Sequence, residues 1–127
     1  MAGSILLIED DLTLSRAIAR NLAAHGYPTH VAATVEQARE IIARERPELV
    51  LLDISLPDGS GWEIVRALRV DQRRPVPIIV MSALRPNPRL VAEMDCVGVL
   101  EKPFPMDSLL RMTRQYLGWP EATPAVE

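Results

Sequence analysis

Alternation constrains this chain more than any other feature. Five apolar stretches recur along it: SILLI (4–8), THVAA (29–33), ELVLLD (48–53), PIIVMS (77–82) and VGVLE (97–101). The first, third and fourth are nearly continuous runs of Ile, Leu and Val, the pattern of strands buried on both faces. Helical spacing fills the gaps between them. Leu14, Ala17, Ile18 and Leu22 share one face of a segment that stops at Gly26. Ala38, Ile41 and Ile42 share a face of the next, which Thr34 opens with Gln37 three residues on, a capping box. Ile64, Val65 and Leu68 mark a third, and Leu109, Leu110, Thr113 and Leu117 the last. Pro28, Pro47, Pro57, Pro75, Pro77, Pro103 and Pro105 all fall between these segments, where a missing N–H costs little. Strand and helix thus alternate five times. Such a chain folds as a doubly wound α/β domain of (βα)5 type, a five-stranded parallel sheet with right-handed crossovers and helices on both faces.

The weakest helix lies between Ser82 and the last strand, where Pro86 and Pro88 delay its start to about Asn87 and leave about two turns. Residues 1–117 read as one domain, and 118–127 (GWPEATPAVE) as a tail or the start of a linker. A chain of 127 residues buries enough surface to need no disulfide or structural metal. The single cysteine, Cys96, suits a reducing cytoplasm. A net charge of −3 argues against binding a nucleic-acid backbone. No apolar run approaches the length of a membrane helix, and the IEDD sequence at 8–11 interrupts anything like a signal peptide.

In an open parallel sheet, ligands bind at the carboxyl ends of the strands. Glu9, Asp10 and Asp11 follow the first strand here, Asp53 ends the third, Ser82 ends the fourth, and Lys102 follows the fifth. Lys102 is also the only lysine among 14 basic residues. Each feature alone has a plain explanation. Acids after a strand favour a helix N-terminus, an aspartate ends a strand in a turn, and a serine satisfies a loop. Their coincidence on one edge points to chemistry. Clustered carboxylates repel and call for a hard cation, and Mg²⁺ takes few protein carboxylates while keeping sites for a phosphate oxygen. One carboxylate can then act as nucleophile toward a phosphoryl group, with an ammonium and a hydroxyl holding the other oxygens. The residues point to a Mg²⁺-dependent site that makes or breaks an aspartyl phosphate.

These motifs resemble the receiver domain of two-component response regulators. ILLIEDD resembles that family's first-strand acidic motif, LLDISLPDGSG its phosphoacceptor loop, IIVMSA the strand ending in Ser or Thr plus a small residue, and LEKPF the Lys-Pro turn. The resemblance spans residues 4–117 and implies a flavodoxin-like sheet of order 2-1-3-4-5. It implies that Asp53 is the phosphoacceptor and that Glu9, Asp10, Asp53 and the backbone carbonyl of Ser55 hold Mg²⁺. It further implies that Ser82 and Lys102 bind the phosphoryl group, with Lys102 placed by a cis bond to Pro103, and that small Ala83 leaves room. Asp11 is read as a helix cap. The implied partner is a sensor histidine kinase or phosphotransfer protein, for a cytoplasmic monomer or weak dimer that turns over no substrate. Two departures stand out. Val99 occupies the position where the family usually carries Tyr or Phe, and the stretch from Ser82 to Lys102 is short and proline-rich.

Two other classes compete. A phosphorylation-independent interaction module on the same fold is supported by Val99. An enzyme on this fold fits less well: an aspartate-based phosphohydrolase wants an acid where Ser55 stands, and a flavin protein wants a phosphate-binding loop where the three acids stand.

Overall fold

The computed structural model describes residues 4–70 and 75–119. Beyond Trp119, the segment read as a tail lies outside the described residues. The strands β1 (Ile5–Ile8), β2 (Thr29–Ala32), β3 (Leu49–Asp53), β6 (Ile78–Ser82) and β7 (Gly98–Glu101) form one sheet, and a short ribbon, β4 (Ser55–Leu56) with β5 (Gly59–Ser60), follows β3. Among the described residues, five helices complete the order: α1 (Leu12–Ala24), α2 (Val35–Arg44), α3 (Gly61–Val70), α4 (Pro88–Glu93) and α5 (Met106–Leu117). The sheet runs β2-β1-β3-β6-β7, all neighbours parallel. Counting sheet strands alone, this is the expected order 2-1-3-4-5 with the helices between.

Period-two alternation along buried strands splits the core into two layers. Ile5, Leu7, Leu49, Leu51, Ile79 and Met81 join Ile18, Leu22, Leu109 and Leu110 on the α1 and α5 side. Leu6, Ile8, Val50, Leu52 and Ile78 join Val35, Ala38, Ile64 and Val65 on the α2 and α3 side. All of β1 and β3 is buried, as the continuous apolar runs require.

The helix ends follow local chemistry. Asp11 caps α1 by accepting from the N–H of Leu14 at 3.1 Å, and α1 gives way to Gly26 at φ 87°. Thr34 accepts from Gln37 N–H at 3.0 Å, and the Gln37 side chain accepts in return from Ala33 N–H. Asn87 caps α4 with Pro88 at its first turn, so this helix has six residues, none of them buried. Two details depart from the periodicity. In α1 the inward positions are Ser15, Ile18 and Leu22, while Ala17 is exposed beside Leu14, Ala83, Pro103 and Phe104 in a shallow groove. Tyr27, between Gly26 and Pro28, is fully buried, and its hydroxyl donates to the Gly118 carbonyl at 2.7 Å. No helix among the described residues is long and apolar enough to cross a membrane.

Candidate functional site

The carboxyl ends of β1, β3, β6 and β7 meet at one edge, and the pairing of Asp53 with Met81 and of Ser82 with Glu101 brings their last residues level. Glu9 follows β1, tied down by its N–H to the Ala32 carbonyl, and is only 1% exposed. Asp53, 7% exposed, closes β3. Lys102 follows β7, its N–H donating to the Ser82 carbonyl at 2.8 Å, and the Lys102–Pro103 bond is cis. Its ammonium lies 2.5 Å from Glu9 Oε1 and 3.1 Å from Asp53 Oδ2. Carboxylate oxygens of Glu9, Asp10 and Asp53 all lie within 4.8 Å of one another, Asp10 being the exposed member. Asp53 Oδ1 accepts from the Ser55 N–H at 3.1 Å.

Burial pushes the Glu9 carboxyl above its ordinary range, and the hydrogen bond from Lys102 only partly offsets it. Burial works against the Lys102 ammonium, but its bonds to Glu9 and Asp53 outweigh that and raise its affinity for a proton. The lysine therefore stands as a fixed cation among acids, neutralising part of their repulsion. This donor set of clustered oxygens fits a hard divalent cation.

Ser82 is placed differently from the others. It ends β6 at the same edge, but its hydroxyl donates to the Leu84 carbonyl and accepts from the Leu84 N–H at 3.2 Å. Sequence brings Ser82 to the edge; the local turn points its oxygen into the following loop. Asp11 takes no place among the clustered oxygens and caps α1, as its position one past the acid pair implies. Val99 lies on the sheet's outer strand and is 37% exposed.

Two features of the loop after β3 were not legible as site residues. A Cβ on Gly61 would come within 2.6 Å of the Asp53 carbonyl and 2.9 Å of Ile54 Cα, so the start of α3 packs directly on the backbone of Asp53. Asp58 accepts from the N–H groups of Val35 at 2.7 Å and Glu36 at 3.1 Å, a contact across 23 positions of chain that no local pattern announces.

Residues 5–114 match the family model described as the response regulator receiver domain. The chain belongs to the response regulator receiver family. A receiver of this sequence is 33% identical over 119 residues to the response regulator MprA of Mycolicibacterium vanbaalenii, covering 92% of this chain and 51% of that protein. The chain thus spans about half the length of the response regulators that it matches in this way. The BeF3-activated N-terminal receiver domain of Klebsiella pneumoniae RstA superposes with a TM-score of 0.80 at 34% identity, covering 90% of this chain and 97% of that one. The receiver domain of the sensor histidine kinase PA1611 of Pseudomonas aeruginosa, solved with a magnesium ion in its active-site cleft, gives 0.80 at 29%, covering 93% and 99%.

Proposed function

We propose that this receiver accepts a phosphoryl group on Asp53 from a phosphohistidine of a sensor histidine kinase or phosphotransfer protein, and that the modification changes which partner it binds. The observation that carries this is the Lys102 ammonium held between Glu9 and Asp53, with Asp10 beside them. Glu9, Asp10, Asp53 and the Ser55 carbonyl would hold Mg²⁺, which when bound neutralises the approaching phosphoryl oxygens. Asp53 contributes a carboxylate oxygen that forms the new O–P bond as the N–P bond breaks, and the electron pair leaves with the imidazole. Lys102 exchanges a carboxylate partner for a phosphoryl oxygen, keeping its charge paired throughout. Ser82 gives up the Leu84 carbonyl and turns its hydroxyl to another phosphoryl oxygen, with Ala83 presenting no bulk in the way. The chain supplies the groups for its own modification rather than turning over a substrate, and it acts in the cytoplasm as a monomer or weak dimer, without contacting nucleic acid itself. The domain spans residues 1–117.

Acetyl phosphate with Mg²⁺ tests this by mass spectrometry of the intact protein. One phosphoryl group is expected on the wild type and none on Asp53→Asn, whose amide is not a usable nucleophile. Lys102→Arg is expected to label poorly, because a longer planar fork does not replace a point charge between two carboxylates. Labelling that persists in Asp53→Asn removes the acceptor assignment. A second reading, a partner-binding module indifferent to phosphate, draws support from exposed Val99 and from the Ser82 hydroxyl engaged with Leu84. It requires equal partner affinity with and without the label.

A further inference from the structure

We propose that Asp58 is a positioning residue of the phosphoacceptor site, holding the loop that carries Asp53 and Ser55 against the N-terminus of α2. The inference rests on the phosphoacceptor reading and adds a residue to it. Asp58 stands at the tip of the β4–β5 ribbon, where Ser55 pairs with Ser60 and Leu56 with Gly59. Its two carboxylate oxygens divide between two donors, Oδ1 taking Val35 N–H and Oδ2 taking Glu36 N–H. Thr34 takes the next N–H of the same turn, that of Gln37. The first turn of α2 is thus capped twice, once by its own chain and once by the acceptor loop.

The path from that cap to the site is short on both sides. The Ala32 carbonyl, just before α2, receives the N–H of Glu9, so the start of α2 is tied to the acid pair after β1. On the other side, the ribbon that Asp58 terminates holds Ser55, whose N–H orients Asp53 Oδ1. Gly61 N–H donates to the Ile54 carbonyl at 2.7 Å and closes the base of the loop. Asp58 therefore joins the two groups of oxygens, those after β1 and those after β3, around the outside of the site. Without it, the ribbon is a two-residue pairing on each strand, too short to hold itself. Groups that orient metal ligands without touching the metal commonly change affinity by about 10–100-fold. Asp58 acts through a loop, so about tenfold is the expected size here.

The experiment measures the Mg²⁺ dissociation constant by titration of the full chain, and the acetyl phosphate labelling rate at subsaturating and saturating Mg²⁺. Four proteins are compared: wild type, Asp58→Ala, Asp58→Asn and Thr34→Ala. Asp58→Ala is expected to raise the dissociation constant about tenfold and to slow labelling at subsaturating Mg²⁺, with most of the rate returning at saturation. Asp58→Asn, which keeps one of the two acceptor oxygens, is expected to raise the dissociation constant by about threefold, between wild type and Asp58→Ala. Thr34→Ala uncaps the same helix without releasing the loop, and its Mg²⁺ affinity is expected to equal that of wild type. An Asp58→Ala protein with wild-type affinity overturns the proposal. So does Thr34→Ala matching Asp58→Ala, which would make helix stability the cause. A wild type that neither binds Mg²⁺ nor labels would instead overturn the phosphoacceptor reading beneath it.

Discussion

Glycine at position 61 is set by the backbone of Asp53 and Ile54. An added Cβ would meet backbone atoms of Asp53 and Ile54, which cannot rotate away as a side chain can. Gly61→Ala is expected to cost about 1–3 kcal/mol, the usual size of overpacking, and to slow phosphorylation by displacing Asp53. Urea unfolding and acetyl phosphate labelling measure the two effects. Gly98 is a useful contrast, because its Cβ would meet the tip of Met112, a flexible chain that can move aside. Asp58 gives the residue-scale pH dependence. The N–H of Val35 holds its carboxyl below the ordinary value, with Glu36 assisting. The unfolded value is near 3.9, so its stabilisation is complete above about pH 5 and is lost as pH falls through about 4 toward the folded value. The difference in urea midpoint between wild type and Asp58→Ala should therefore be constant from about pH 5 to 7 and shrink below about pH 4. The acids, the lysine and the serine could be read from strand ends. The Asp58 contact could not, because it joins residues 23 apart through loops, and neither could the direction of the Ser82 hydroxyl, which a two-residue turn decides.

At the scale of elements, α4 differs from the other helices in having no buried residue and only six positions. Such a helix is marginal on its own. Its far end is held from α3: the Arg69 guanidinium donates to the carbonyls of Met94 at 2.9 Å, Asp95 at 3.1 Å and Val76 at 2.9 Å. Its near end hangs on the Ser82–Leu84 turn, where Leu84 is 81% exposed. Movement of Ser82 toward a phosphoryl group would release the near end and leave the far end clamped. Amide exchange with a beryllium trifluoride mimic should change over residues 84–90 and stay constant over 94–97. Arg69→Met should cost about 1–3 kcal/mol, the range for a charged hydrogen-bonding group lost from partly buried carbonyls, and extend the change into 94–97. Equal protection over 84–90 in both states would mean that this segment does not carry the signal. The short helix was legible because Pro86 and Pro88 cannot continue one, and Asn87 stands where a cap must be. The β4–β5 ribbon was not, since two residues per strand are too few to show a period. Val99, at the position where the family usually carries an aromatic ring, is exposed on the last strand.

For the molecule as a whole, the site opposes the fold that builds it. The sheet was legible because β1 and β3 are buried on both faces and admit only apolar residues, so the acids are forced to the strand ends. There, three carboxylates against one ammonium leave a formal charge of −2 within a few ångströms. Like charges so placed destabilise the folded state, and a bound divalent cation reverses the sign. Mg²⁺ at about 100 times its dissociation constant should add about 2.7 kcal/mol, because it binds the folded chain alone. For a domain of this size that is a rise in melting temperature of about 10 °C. Asp10→Asn, compared without and with Mg²⁺, separates repulsion from ligation, because it removes an exposed charge and the oxygen expected to take the ion while leaving the Lys102 pairs intact. Without Mg²⁺ the variant should melt slightly above wild type, by relief of repulsion. With Mg²⁺ in the millimolar range it should melt below, by loss of binding. The two melting curves must therefore cross as Mg²⁺ is raised. A wild-type melting temperature indifferent to Mg²⁺, or a variant below wild type at every concentration, would show that these carboxylates are not held together at the expense of stability in order to bind a cation.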